Sequence, residues 1–187
     1  MMQKILQKKA NRNIIIFICM VLIALLCRIL GKISFQYVLN GIVRSIIYIG
    51  LYIGWAISIH KRVVQKSVKN TLLLISGLMI FWFIVRSIKY FFAMDVNVER
   101  YLWYSYYLPM LFIPLLGVYI ALSLGQPERY RITGKSATLV IFPTVLFLFV
   151  ITNDLHQQVF AFQGGVLDSG VYTHRSLYFA CLGWMVA

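Results

Sequence analysis

Apolar residues in this chain neither alternate with polar ones nor recur on a single helical face; they come in long blocks separated by short charged breaks. A block of roughly 20 apolar residues is what a helix needs to cross a hydrocarbon layer about 30 Å thick at about 1.5 Å per residue. The blocks predict spans over 14–30, 38–59, 71–93, 101–124 and 137–152, with a sixth from 177 onward, after a basic amino terminus at 1–13. That sixth block is too short for a span at residue 187, so the chain is expected to be the front part of a longer protein. The fold class expected is all-α, a polytopic transmembrane helix bundle.

One connection breaks the helical pattern. Between 153 and 175, the β-prone runs 159–162 and 166–172 flank Gly164 and Gly165, which predicts a small β-hairpin over the bundle mouth, between the fifth and sixth spans. It reads equally as a lid on a ligand site and as a compact loop. Pro109 and Pro114 fall inside the fourth span and Pro143 in the fifth, where neighbouring helices can satisfy the carbonyls that a proline frees.

Composition sharpens the solvent. Hydrophobic residues make up 61% and charged residues 12%, with a mean hydropathy of +0.82; soluble domains carry about 25% charged residues. Cys19, Cys27 and Cys181 lie in apolar stretches without Cys-x-x-Cys spacing and read as small buried hydrophobes. The basic start and apolar 14–27 imitate a secretory signal, but 28–32 offers no small-residue cleavage site, so an uncleaved first helix is expected.

The net charge of +13 would suggest nucleic acid in a soluble protein. Here it resolves into clusters on alternate loops: Lys4, Lys8, Lys9 and Arg12, then Lys61, Arg62, Lys66 and Lys69, then Arg129, Arg131 and Lys135, against Glu128 alone. That side totals +10 and the other +3, and positively charged loops stay cytoplasmic. The amino terminus is therefore expected on the cytoplasmic side of a cell membrane, with the lipid bilayer as partner and no nucleic acid. The same clusters favour anionic lipid headgroups by about 1 kcal/mol per nearby cation.

Arg44, Arg86 and Lys89 lie within predicted spans, toward their outer ends, where a cation is costly enough to be a site hypothesis. Two readings compete: snorkelling or pairing with Asp95, Glu99 or Asp154, and a shared outer pocket for an anionic or polar small molecule. Arg86 shares a helical face with Lys89 and Tyr90. The aromatics Tyr101, Trp103, Tyr104, Tyr106 and Tyr107 form an interfacial belt or, in part, line that pocket; five rings in seven positions must place at least one inward. His156 beside Asp154 is either a loop residue or a sensing group. The candidate ligand-binding set is thus Arg44, Arg86, Lys89, Tyr104, Asp154 and His156.

Gly50 and Gly54 form a Gly-x-x-x-Gly that favours helix packing within the chain, with a homodimer left open. No phosphate-binding loop, His-Glu-x-x-His or nucleophile elbow occurs, so no catalytic residue, cofactor or metal ligand is expected. All five acids lie outside the predicted spans, which disfavours an ion-coupled pump.

Two motifs carry a family resemblance. One runs Arg100-Tyr-Leu-Trp103-Tyr-Ser-Tyr-Tyr-Leu-Pro109 into Leu115-Leu-Gly-Val-Tyr-Ile-Ala-Leu-Ser-Leu-Gly125; the other is Ile141-Phe-Pro143, followed a helix later by Thr152-Asn153-Asp154-Leu155-His156-Gln157. In both, the chain resembles the amino-terminal seven-transmembrane sensor region of bacterial histidine kinases, most strongly over 100–160. The resemblance implies an extra first helix at 14–30 and eight spans in the complete protein. It also implies a signal-sensing role in a two-component system, with a small molecule or membrane state biasing the bundle and a downstream cytoplasmic output domain receiving the change. A small-solute transporter or permease subunit is the alternative, and a membrane enzyme with downstream active residues is a third.

Overall fold

The computed structural model describes residues 15, 18–23, 25–26, 37–92, 95–126, 138–163 and 171–186. The basic terminus at 1–13 and the cluster Arg129, Arg131 and Lys135 lie outside the described residues, and of the first predicted span only 15, 18–23, 25 and 26 are described, all helical. Two compact units divide the chain, Met1–Gly54 and Trp55–Ala187.

Helix α1 covers Tyr37–Arg62 and ends on Lys61 and Arg62, cations that suit the negative end of a helix dipole. A Cβ added at Gly50 or Gly54 meets no atom of the described residues within 4 Å.

The second unit takes in the end of α1 from Trp55, then α2 (Lys66–Phe91), α3 (Val96–Ser105), α4 (Tyr107–Ser123), α5 (Ile141–Ile151), α6 (Asn153–His156), strands β1 (Phe160–Phe162) and β2 (Tyr172–His174), and α7 (Ser176–Val186). Asp95 starts α3 by accepting a hydrogen bond from the Asn97 N–H at 2.6 Å, with Glu99 in the first turn. The helix breaks at Tyr106, whose N–H shortens its reach to the Trp103 carbonyl at 3.1 Å. Pro109 explains the break: lacking an N–H, it leaves the Ser105 carbonyl without its usual donor. Pro143 falls in the first turn of α5, where no intrahelical donor is needed.

Among the described residues three helices are long and apolar enough to cross a membrane: Gly41–Arg62, Lys66–Phe91 and the broken pair Val96–Ser123. At about 1.5 Å per residue each reaches the ~30 Å of a hydrocarbon core. Only 11% of the Lys66–Phe91 window is buried within the protein, so its apolar side chains mostly face outward, as they do in lipid. Two further apolar helices, Thr138–Ile151 and Ser176–Val186, are shorter.

Helix α4 is the hub, packed against α2, α5 and α7. The proline at 114 removes the donor to the Met110 carbonyl, and one residue along the Trp184 Nε1 donates to the Leu111 carbonyl at 2.8 Å, joining α7 to α4 at the irregular turn. At one end, Gln65 Nε2 donates to the Ser123 carbonyl at 2.7 Å and the Gln126 carbonyl at 3.3 Å, satisfying groups that the end of α4 leaves open. Gly125 follows with φ +77°, the left-handed conformation that commonly closes a helix. A buried apolar cluster gathers at the opposite end, where Tyr104, Tyr107, Leu111, Leu146, Val150 and Cys181 pack with Val159, Phe160 and Phe162 of the hairpin.

The hairpin is a two-stranded antiparallel sheet pairing Phe160 with His174, Ala161 with Thr173 and Phe162 with Tyr172. Its first strand agrees with the sequence pattern. The second sits at Tyr172–His174, later than the expected run 166–172, and the residues between 163 and 171 lie outside those described.

Candidate functional site

The polar centre of the hairpin end grows from Asn153, which follows the end of α5. Its carboxamide uses its full capacity of two acceptor and two donor positions. Oδ1 accepts from the Val159 and Phe160 N–H groups at 3.0 Å each, while Nδ2 donates to the Phe160 carbonyl at 2.9 Å and to Tyr104 Oη at 3.2 Å. Toward Phe160 the side chain therefore pairs as a neighbouring strand would. Asn153 is wholly buried, where an unpaired amide would cost about 1–3 kcal/mol.

Tyr104 passes the network on. Its hydroxyl donates to Asp154 Oδ1 at 2.8 Å, and Asp154 receives Arg100 Nε at 3.1 Å on each oxygen and Nη2 at 2.9 Å on Oδ2. The Arg100 side chain is only 3% exposed and that of Asp154 15%, so the two charges compensate each other away from water. Arg100 Nη2 also donates to Asn97 Oδ1 at 2.8 Å, one turn back on α3. The result is a continuous clasp from α3 through Asp154 and Asn153 to the backbone of β1.

Rings complete it. Phe160, fully buried, lies 4.5 Å from Trp103 centroid to centroid, 5.8 Å from Tyr107, 5.6 Å from Tyr172 and 5.8 Å from Tyr178, and stacks on Tyr104 at 6.3 Å. Such pairs add about 0.5–1.5 kcal/mol each beyond the area they bury. The aromatic run of α3 and α4 thus serves the interior as well as any belt: Tyr104 and Tyr107 are buried and Tyr101 is exposed.

Beside the clasp opens a cleft of about 280 Å³ between the end of α2, the face of α3 and β2. It is lined by Lys89 and Tyr90 of α2, by Glu99, Arg100 and Trp103 of α3, and by Tyr106 and Tyr172. Lys89 Nζ lies 3.4 Å from Glu99 Oε1 and 5.3 Å from the centre of the Tyr90 ring.

Of the residues expected in a site, Tyr104 and Asp154 meet in the clasp and Lys89 lines the cleft. Lys89 also forms the ion pair with Glu99 that the pairing alternative anticipates. Arg86 is exposed, its guanidinium 5.8 Å from the Tyr90 ring centre, and is not among the cleft's lining residues. His156 serves its own turn: Nδ1 accepts from the Gln158 N–H at 3.0 Å and Nε2 lies 3.3 Å from Thr152 Oγ1. Arg44 sits half-buried in α1, within the first unit. The central residues absent from the expected set are Arg100, Asn153 and Glu99. Arg100 and Asn153 stand in the two motifs quoted above, which was their available signal; Glu99 stood only as one of three acids that could pair with Lys89.

Among the described residues no cluster of His, Cys, Asp or Glu could hold a metal ion. The chain matches no protein-family model, no curated protein and no solved structure. The resemblance to the sensor region of histidine kinases therefore rests on its two motifs.

Proposed function

We propose that this chain is a membrane-embedded sensing region, a multi-pass bundle in the bacterial plasma membrane with its hairpin end facing outward. A small molecule entering the cleft biases the clasp, and the helices carry that bias to a cytoplasmic output domain, in the manner of a sensor histidine kinase. The observation that carries this reading is the double role of Arg100, which lines the cleft and anchors the network running through Asp154 and Tyr104 to Asn153 and β1. A ligand that alters the surroundings of Arg100 bears on two helices and the hairpin at once. Coupling requires only that the ligand bind two arrangements of that network with different affinity.

The test places the whole chain in lipid nanodiscs and in sealed vesicles with a panel of small polar metabolites. The sensing reading expects a ligand-dependent rise in melting temperature that Asp154→Asn removes, without transmembrane flux of that ligand. Flux of the same compound would favour the transporter alternative instead.

A further inference from the structure

We propose that the cleft takes a small zwitterion with an apolar body, an α-amino acid in chemical class. The inference deepens the sensing reading and rests on it for its purpose, while binding itself is measured separately.

The charges select the head group. Arg100 lines the cleft, but its guanidinium is engaged by both Asp154 oxygens and by Asn97. The remaining charges are Lys89 and Glu99, a pair 3.4 Å apart whose side chains are 15% and 52% exposed. An anion drawn to Lys89 is opposed by Glu99, and a cation drawn to Glu99 is opposed by Lys89. A molecule with an ammonium and a carboxylate on one carbon, aligned head to tail against the pair, meets an opposite charge at both positions. The wall thus rewards a zwitterion and penalises each singly charged analogue.

The rings select the body. Trp103 and Tyr172 are fixed against each other at 4.9 Å and against Phe160, so an apolar wall stands ready before a ligand arrives. Tyr106 on the same cleft carries a buried hydroxyl with no hydrogen-bond partner among the described residues, and Trp82, edge-on to it at 6.5 Å, has a buried Nε1 in the same condition. The Tyr106 hydroxyl thus keeps its hydrogen-bonding capacity for a polar group of a bound molecule. The volume of about 280 Å³ falls just below the ~300–1,000 Å³ of pockets for drug-sized molecules, as suits a single amino acid.

Equilibrium dialysis of the whole chain in nanodiscs tests this with phenylalanine, leucine and tryptophan, and with phenethylamine and hydrocinnamate, which lack the carboxylate and the amine of phenylalanine. The expectation is that at least one zwitterion is retained, and that phenylalanine, if it is the one, exceeds both analogues by about tenfold, the worth of one charge-assisted contact. Lys89→Met should weaken zwitterion binding about tenfold without weakening phenethylamine. Glu99→Gln should weaken both, and the swapped double variant K89E/E99K, which restores the charge pair, should recover binding. The proposal is overturned if no zwitterion is retained, if an analogue binds as tightly, or if Lys89→Met in a chain of unchanged melting temperature binds as before. Zwitterion binding without any change in hydrogen exchange at the far end of the bundle would support the site and defeat the sensing reading. A far-end response to a singly charged compound alone would do the reverse.

Discussion

Asn153 treats Phe160 as a strand partner, accepting from its N–H at 3.0 Å and donating to its carbonyl at 2.9 Å. A side chain thus supplies the edge pairing that β1 lacks on the side away from β2, and it ties a three-residue strand to the end of α5.

Asn153→Ala leaves the buried Val159 and Phe160 N–H groups without acceptors, and we expect a loss of about 3 kcal/mol at about 1–3 kcal/mol for each unpaired group. Asn153→Asp, which keeps the acceptor but removes the donor to the Phe160 carbonyl, should also destabilise. Steric-trapping measurements of unfolding in bicelles give both values, and a loss under about 1 kcal/mol for the alanine variant would mean that the hairpin does not depend on this contact.

Asp154→Ala strands the Arg100 charge where it is 3% exposed, and removal of one member of a buried pair costs about 3–5 kcal/mol. Replacing both, as R100M/D154L, should cost less than the single change, because no uncompensated charge remains. A double-mutant cycle reads the coupling directly; additive losses would contradict the compensated pair.

Gln65→Ala removes a donor to the Ser123 and Gln126 carbonyls and should cost about 1 kcal/mol, expressed mainly as faster amide exchange at 124–126. Gln65→Glu should be worse, since a carboxylate faces carbonyl oxygens. Equal exchange in all three proteins would show that this end is held by other contacts.

Trp184→Phe keeps a ring beside Phe142, 5.1 Å away, but gives up the Leu111 carbonyl. A loss of about 0.6 kcal/mol is expected, typical of a hydrogen bond between membrane helices. An unfolding measurement that showed no change would leave the Leu111 contact without energetic weight.

The helices were the most legible part of this sequence, because a block of apolar residues between charged breaks has few other uses. The hairpin was legible from its glycines and β-prone runs, yet the strand register was not. Tyr172 lies against Trp103, and Phe160 pairs with His174, so contacts across the sheet fix a second strand that local propensity puts earlier. The site was harder still. Arg100 reads in sequence as one more charge near a helix end, and its partner Asp154 lies 54 positions away, beyond any local pattern. Lys89 and Glu99 sit on different helices, so although Glu99 stood among the acids offered as partners, only folding selects it over Asp95 and Asp154.

The most direct test of the sensing account is hydrogen exchange of the whole chain in nanodiscs, with and without a zwitterion that binds. The account predicts slower exchange at Phe160–Phe162 together with a change at 124–126, the opposite end of α4, and predicts that Asp154→Asn uncouples the two. Protection confined to the hairpin, or a far-end response that persists in Asp154→Asn, would contradict it.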